Sequence, residues 1–173
     1  MIRLLVATLL VLTLPATSWT LGTTMEIGVR GGSDASGVDE NYTVGEVYFL
    51  HALPWQKEFS SGTKIYTRLD VGAGFLHAAS KDAGWLAVGG NVVFSLMEGR
   101  WELECGFRPT WLFRDEFGED DYGGTVQFAS HAGVTFNLGP AALSYRILHL
   151  SNAHLYDPNP GLNLHLVGVG VRF

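Results

Sequence analysis

An imidazole and a hydroxyl stand two residues apart near the end of this chain, in His149-Leu150-Ser151. On a strand, that spacing puts both side chains on one face. A neutral imidazole can take the proton of a neighbouring serine and later return it to a leaving alcohol, which is the chemistry of ester hydrolysis. The next residue, Asn152, carries an amide that, together with backbone N–H groups, can stabilise the oxyanion of a tetrahedral intermediate. After a run of turn formers over 156–161 (Tyr-Asp-Pro-Asn-Pro-Gly), a second alternating segment carries Asn163 and His165 on one face. A hairpin therefore gathers His149, Ser151 and Asn163 at its looped end. The plainer alternative is a His and a Ser in an interfacial girdle, with no chemistry.

These residues need strands to hold them, and the chain alternates almost throughout. Tyr145, Ile147, His149 and Ser151 share one face, against Ser144, Arg146, Leu148, Leu150 and Asn152. Asn163, His165, Val167, Val169, Val171 and Phe173 share another, against Leu164, Leu166, Gly168, Gly170 and Arg172. Segments 24–33, 42–53, 63–77, 85–97, 100–113 and 122–138 behave alike, which makes about eight strands of roughly ten residues or more. One face of each is apolar. The other is expected to carry Gly, Glu, Arg, Gln and His rather than aliphatics.

In a soluble sandwich the apolar faces meet each other, whereas in a small transmembrane barrel they meet lipid and the polar faces fill the interior. The Gly-rich polar face of mixed sign and the terminal Phe173 favour the barrel. Tight turns at 97–100 and 137–140 alternate with longer polar connections at 34–41, 113–122 and 154–162. Residues 77–84 read as a shorter connection of the same polar kind. Residues 54–62 read as too long for a minimal turn on the short-turn side. Trp101 and Trp111 near opposite ends of one strand suit two interfacial girdles. The expected fold is all-β: an eight-stranded antiparallel transmembrane β-barrel of the outer membrane. Parity then places His149, Ser151, Asn163 and His165 on its lipid-facing side toward the outer end. Polar groups facing hydrocarbon cost roughly a few kcal/mol each unless paired or interfacial. Chemistry gives a reason for them to be there, since a nucleophile so placed meets a lipid ester laterally.

Composition agrees. The chain has 173 residues, 47% hydrophobic and 16% charged, which is too apolar for a disordered segment and fits one domain. A formal charge of −6 without a basic run argues against a nucleic-acid partner. The single cysteine, Cys105, excludes an internal disulfide and sits on an apolar face as a buried or lipid-facing thiol. Met1-Ile2-Arg3, the apolar run that follows, Pro15 and the small residues Ala16-Thr17-Ser18 read as a signal peptide over 1–18, leaving 19–173 as the barrel domain.

The stretch His149-Leu150-Ser151-Asn152-Ala153, followed by Asn159-Pro160-Gly161, resembles the signature of the PagL family, the lipid A 3-O-deacylases of Gram-negative outer membranes. The resemblance implies that Ser151 is the nucleophile, His149 its base and Asn152 an oxyanion-hole contributor. It implies lipid A of lipopolysaccharide as substrate, within outer-membrane lipid and without a metal or other cofactor. The bond cut would be the ester holding a 3-hydroxyacyl chain on the glucosamine backbone. The family's third member is a carboxylate on the last strand, and here that position reads Asn163. An amide can orient the imidazole through its carbonyl oxygen but stabilises imidazolium less than a carboxylate does. Asp157 in the loop is the alternative orienter. A non-catalytic small barrel, binding lipid or other surfaces with a degraded triad, is the competing function, and a soluble periplasmic ligand-binding barrel a third. A homodimer stays open.

Other polar residues have plainer roles. Glu102, Glu104, Arg108, His131, Arg146 and Arg172 face the interior by parity, as a charge network would. The run 114–121 is acidic and suits a solvated outer loop, or one that binds divalent cations. His154 and His165 lack the carboxylate or cysteine spacing that would make a metal site with His149.

Overall fold

The computed structural model describes residues 24–35 and 40–173. The expected cleavage after Ser18 lies outside the described residues. Ten strands follow in chain order: β1 Met25–Asp34, β2 Thr43–Glu58, β3 Lys64–Ala78, β4 Lys81–Leu96, β5 Trp101–Leu112, β6 Glu116–Phe117, β7 Asp120–Asp121, β8 Val126–Leu138, β9 Ala141–Ser151 and β10 Leu162–Arg172. Eight of them close antiparallel in the order β1-β10-β9-β8-β5-β4-β3-β2, and β6–β7 form a small separate hairpin. Closure brings the ends of the barrel strands together: Met25 N–H donates to Phe173 O at 3.0 Å and Phe173 N–H to Met25 O at 2.9 Å.

The alternation sorts as parity requires. Ile27, Val29, Val47, Leu86, Leu103, Ile147, Val167 and Val169 are exposed on the outside, while Glu26, Arg30, Glu46, Asp70, Glu104 and Arg146 are buried inside. Trp101 and Trp111 are exposed at opposite ends of β5, and the Cys105 thiol also faces outward. This belt is what a bilayer-spanning barrel presents.

Two connections differ from the sequence expectation. Residues 54–62 are mostly strand: β2 runs on through Glu58, and Gln56, Lys57 and Glu58 pair with Tyr66, Ile65 and Lys64. The ladder breaks between Ala52 and Gln56, around Pro54, which has no N–H to donate, and then resumes. Residues 77–84 are likewise strand apart from Ala79-Ser80, whose φ values of 49° and 60° make the mirror-image turn that a right-twisted hairpin favours. Polar residues at a strand end that reaches water do not end the pairing, so polarity misplaced both boundaries.

The interior has two layers. Toward the inner end and the middle it is ionic. Arg108 donates to Glu46 at 2.8 Å and Asp70 at 3.2 Å, and Arg146 to Asp70 at 2.9 Å and Glu104 at 2.6 Å. Arg68 bonds Glu104, while Arg172 spans Glu26 and Glu102 at 2.9 and 3.0 Å. These are the paired charges that parity foretold.

Toward the outer end the interior is mainly apolar. Leu76, Trp85, Leu112, Leu148, Leu150, Leu162 and Leu164 form one buried cluster with Phe117 and Tyr122 from the β5–β8 connection. The expectation of a lumen without aliphatics is therefore corrected. The β6–β7 hairpin covers this end, so apolar side chains are shielded on both faces of the strands. Tyr42 Oη donates to Asp120 at 2.9 Å and meets Phe117 edge-on. Burial pushes the Tyr122 phenol up to about 12 and also raises that of Tyr42, so both stay protonated as lid residues.

Candidate active site

The site is set by the register of three strands at the outer end. Asn163 of β10 stands directly opposite His149 of β9, and Ser130 of β8 stands opposite His149 on the other side. Leu148 and Leu150, fully buried, anchor the inner face of β9. That anchoring turns His149 outward, where it is exposed, and leaves Ser151 half-exposed on the same side.

His149 Nδ1 lies 2.8 Å from Asn163 Oδ1. A carbonyl oxygen only accepts, so Nδ1 carries the proton and Nε2 presents its lone pair. The ring also rests on backbone: a Cβ at Gly161 would sit 3.1 Å from His149 Cε1 and 3.7 Å from Nε2. Gly161 has φ +71°, so its lack of a side chain serves both the turn and the ring.

Ser151 is one same-face step from His149, about 6.6 Å at twice the strand rise of ~3.3 Å per residue. The structure thus brings His149 and Asn163 into contact and sets Ser151 beside them, without a hydrogen bond between the hydroxyl and the ring.

Asn152 points the other way. Its side chain is fully buried, and Nδ2 donates to Tyr122 O at 2.9 Å and Pro158 O at 3.0 Å. Its own N–H donates to Asn159 Oδ1 at 3.0 Å, and its carbonyl accepts from Leu155 N–H at 3.0 Å. Gly123 and Gly124 let the loop close down, because a Cβ on either would strike Tyr156 at 2.7–2.8 Å. Asn152 is therefore the pin of the β9–β10 loop. Asp157 is exposed on that loop, and the ring nitrogen an orienter would bind is already engaged by Asn163. His154 is exposed in the turn after the serine, and His165 bonds Tyr145 rather than joining His149.

Ser130 is the residue that sequence reading missed. It shares the outward face of β8 with Phe128 and Ala132. Only the register reveals that it faces His149, and nothing in a single sequence fixes register.

A closed barrel with an apolar belt, an ion-paired interior and an outward Ser/His/Asn cluster at its rim defines an outer-membrane β-barrel with a candidate site on its outer wall. The family model described as lipid A 3-O-deacylase (PagL) matches residues 16–172, so the chain belongs to that family. The "Lipid A deacylase PagL" of Bordetella bronchiseptica is 35% identical over 66 residues, 38% of this chain and 37% of that protein. The aligned stretch thus spans just over a third of that relative's length. Among solved structures, the crystal structure of the outer membrane enzyme PagL superposes with a TM-score of 0.74 at 15% identity, covering 84% of this chain and 98% of that one. At that identity the likeness speaks for the fold.

Proposed function

We propose that this protein is a lipid A deacylase working by serine chemistry on the lipid-facing wall of the barrel. The observation that carries it is the His149–Asn163 hydrogen bond of 2.8 Å on the outward face of the barrel wall, with Ser151 on the same face. Side-chain rotation of Ser151 and a tilt of the ring about its Asn163 bond bring the hydroxyl to Nε2.

Ser151 Oγ attacks the carbonyl carbon of the 3-O-linked ester while Nε2 takes its proton. The tetrahedral oxyanion then collapses, the C–O bond to the sugar breaks, and imidazolium returns the proton to the sugar oxygen. Water, deprotonated by the same nitrogen, attacks the acyl-serine. The fatty acid leaves and Ser151 recovers its proton. Asn163 orients the ring and fixes its tautomer. Backbone N–H groups of the turn after Ser151 serve the oxyanion, and Asn152, buried on the opposite face, acts by holding that turn through Tyr122 O and Pro158 O. The interior is filled by ion pairs and an apolar plug, so lipid reaches the site from the bilayer and not through the lumen.

Mass spectrometry of lipid A from cells expressing wild type, Ser151→Ala or His149→Ala tests this. Wild type removes one 3-hydroxyacyl chain and the variants leave it in place. Equal acyl loss in all three rejects the serine chemistry. Equal retention favours the second reading, a lipid-contacting barrel whose triad is degraded at Asn163, where an amide replaces the family's carboxylate.

A further inference from the structure

Away from the His149 cluster, the outer wall holds an apolar groove of about 530 Å³ over β3, β4 and β5. Gly90 lies at its floor, with Leu53, Thr67, Val92, Cys105 and Phe107 around it. Gly90 is exposed on the outward face of β4, between Val88 and Val92, where an aliphatic side chain is the rule. Nothing in the fold asks for a glycine there. Its φ lies outside the left-handed region, and the nearest atom to an added Cβ would be Arg68 O at 3.9 Å. Every other glycine within the barrel strands has an atom within 3.2 Å of that position. A glycine inside a strand gives up packing and chain entropy, and one without a steric reason marks a place that something else approaches closely.

Register ties this groove to the candidate site. His149, Ser130, Phe107 and Gly90 stand side by side in one row on β9, β8, β5 and β4. The row that starts at Asn163, by the outer loop, runs on through Leu69 and His51 to Met25 at the inner end of β1, so it descends the wall. From Ser151 to Gly90 the way is three strands across and one same-face step inward, about 16 Å at ~4.8 Å between strands and ~3.3 Å per residue. The short side chains of Ser130, Ala132 and Cys105 border that line, beneath the Phe107 ring, which stacks on Phe128 at 5.5 Å. Half of a hydrocarbon core of about 30 Å is about 15 Å. A chain anchored at the rim therefore ends at the depth of this groove.

We propose that the groove seats the far end of the acyl chain whose ester lies at Ser151, and that Gly90 sets the chain length the protein prefers. This rests on the hydrolase reading above and adds to it which chains are cut. An extended tetradecanoyl chain reaches Gly90, whereas a decanoyl chain stops beside Phe107. The bilayer offers either chain an equally apolar medium, so burial from water is not what selects. Selection comes from packing, as the terminal methylenes fill a fixed hollow and gain close contacts with its walls. A side chain at position 90 takes that volume from the lipid.

The test uses two synthetic glucosamine lipids that differ only in chain length, 3-O-decanoyl and 3-O-tetradecanoyl. Turnover is measured in mixed micelles with full-length protein, and binding by native mass spectrometry in the Ser151→Ala background. Each is repeated with Gly90→Leu, which fills the groove, and with Gly90→Ala, a milder change should Gly90→Leu fail to fold. Val29→Leu adds bulk to the outer wall on β1, outside the groove, as the control. Folding is checked by heat-modifiable gel mobility. The expected result is a preference for the tetradecanoyl lipid of about fivefold in both kcat/KM and binding, the scale of the dispersion contacts that the added methylenes make. Gly90→Leu abolishes the preference by losing the longer lipid, Gly90→Ala lowers it, and Val29→Leu keeps it. No preference in the parent protein, a preference that persists in the Gly90 variants, or an equal loss of both lipids overturns the assignment and leaves the groove to bulk bilayer chains. The binding arm separates the two readings. Chain-length selection in binding that Gly90→Leu removes, without turnover of either lipid, sinks the hydrolase and keeps the groove. Turnover indifferent to chain length does the reverse.

Discussion

An amide at position 163 holds the imidazole in place without offering it a charge. The 2.8 Å contact to Nδ1 supplies orientation and tautomer, the parts of an orienter's work that geometry provides. What the proposed mechanism lacks is a countercharge for the imidazolium that would form as Ser151 is deprotonated. In a serine protease the change from carboxylate to amide costs about ten-thousandfold, part of it through the wrong tautomer. Here the tautomer is the useful one, so only part of that factor is recoverable. Asn163→Asp, nearly isosteric, is expected to raise kcat at least about tenfold, measured by fatty-acid release from a glucosamine ester in micelles. No gain, with a large loss in Asp157→Ala, moves the orienting role to the loop. At this scale His149, Ser151 and Asn163 were legible because a period of two fixes which residues share a face. The commitment of Asn152 to Tyr122 O and Pro158 O was not legible, because it depends on how a loop folds over Gly123 and Gly124. Nor was Ser130, whose place opposite His149 depends on register.

The hairpin of β9 and β10 positions the site because its inner face is pinned twice. Near the rim, Leu148, Leu150, Leu162 and Leu164 lock into the outer apolar cluster. Further in, Arg146 bridges Asp70 and Glu104 across the lumen. Slippage by one residue would carry the leucines and Arg146 outward and His149 inward, so the lumen contacts fix which way the chemistry faces. Arg146→Leu removes one cation from this network and leaves part of two buried carboxylates uncompensated. A loss of about 3 kcal/mol is expected, at the low end for a broken buried pair because Arg108 and Arg68 still serve Asp70 and Glu104. Urea unfolding in detergent micelles, followed by tryptophan fluorescence, reports it as a lower midpoint. An unchanged midpoint means that the network does not hold the hairpin. The strands themselves were readable from alternation. The extensions of β2 to Glu58 and of β3 and β4 to the Ala79-Ser80 turn were not, since polar residues beyond the apolar belt look like loop yet continue the ladder.

The barrel is a cylinder blocked in its middle and at its outer mouth, with the proposed reactive groups on the outside. Ion pairs occupy the middle of the lumen, and the Phe117–Tyr122 lid with its leucine cluster closes the outer mouth. Nothing the size of a lipid passes through, so the outer wall is the surface left for chemistry on a bilayer substrate. The eight-stranded closed fold was readable from the chain because lipid outside and charge inside impose opposite polarity on alternate residues. The apolar plug was hidden, because the lid that covers it is acidic in sequence. The central claim is that Ser151, facing the lipid, is the nucleophile. The direct measurement is to treat the folded protein in outer-membrane vesicles with a long-chain alkyl fluorophosphonate, which phosphonylates activated serines with loss of fluoride, then map the adduct by peptide mass spectrometry. One adduct is expected, on Ser151, lost in His149→Ala. An adduct on Ser130 instead, or labelling of Ser151 that persists without His149, would contradict it.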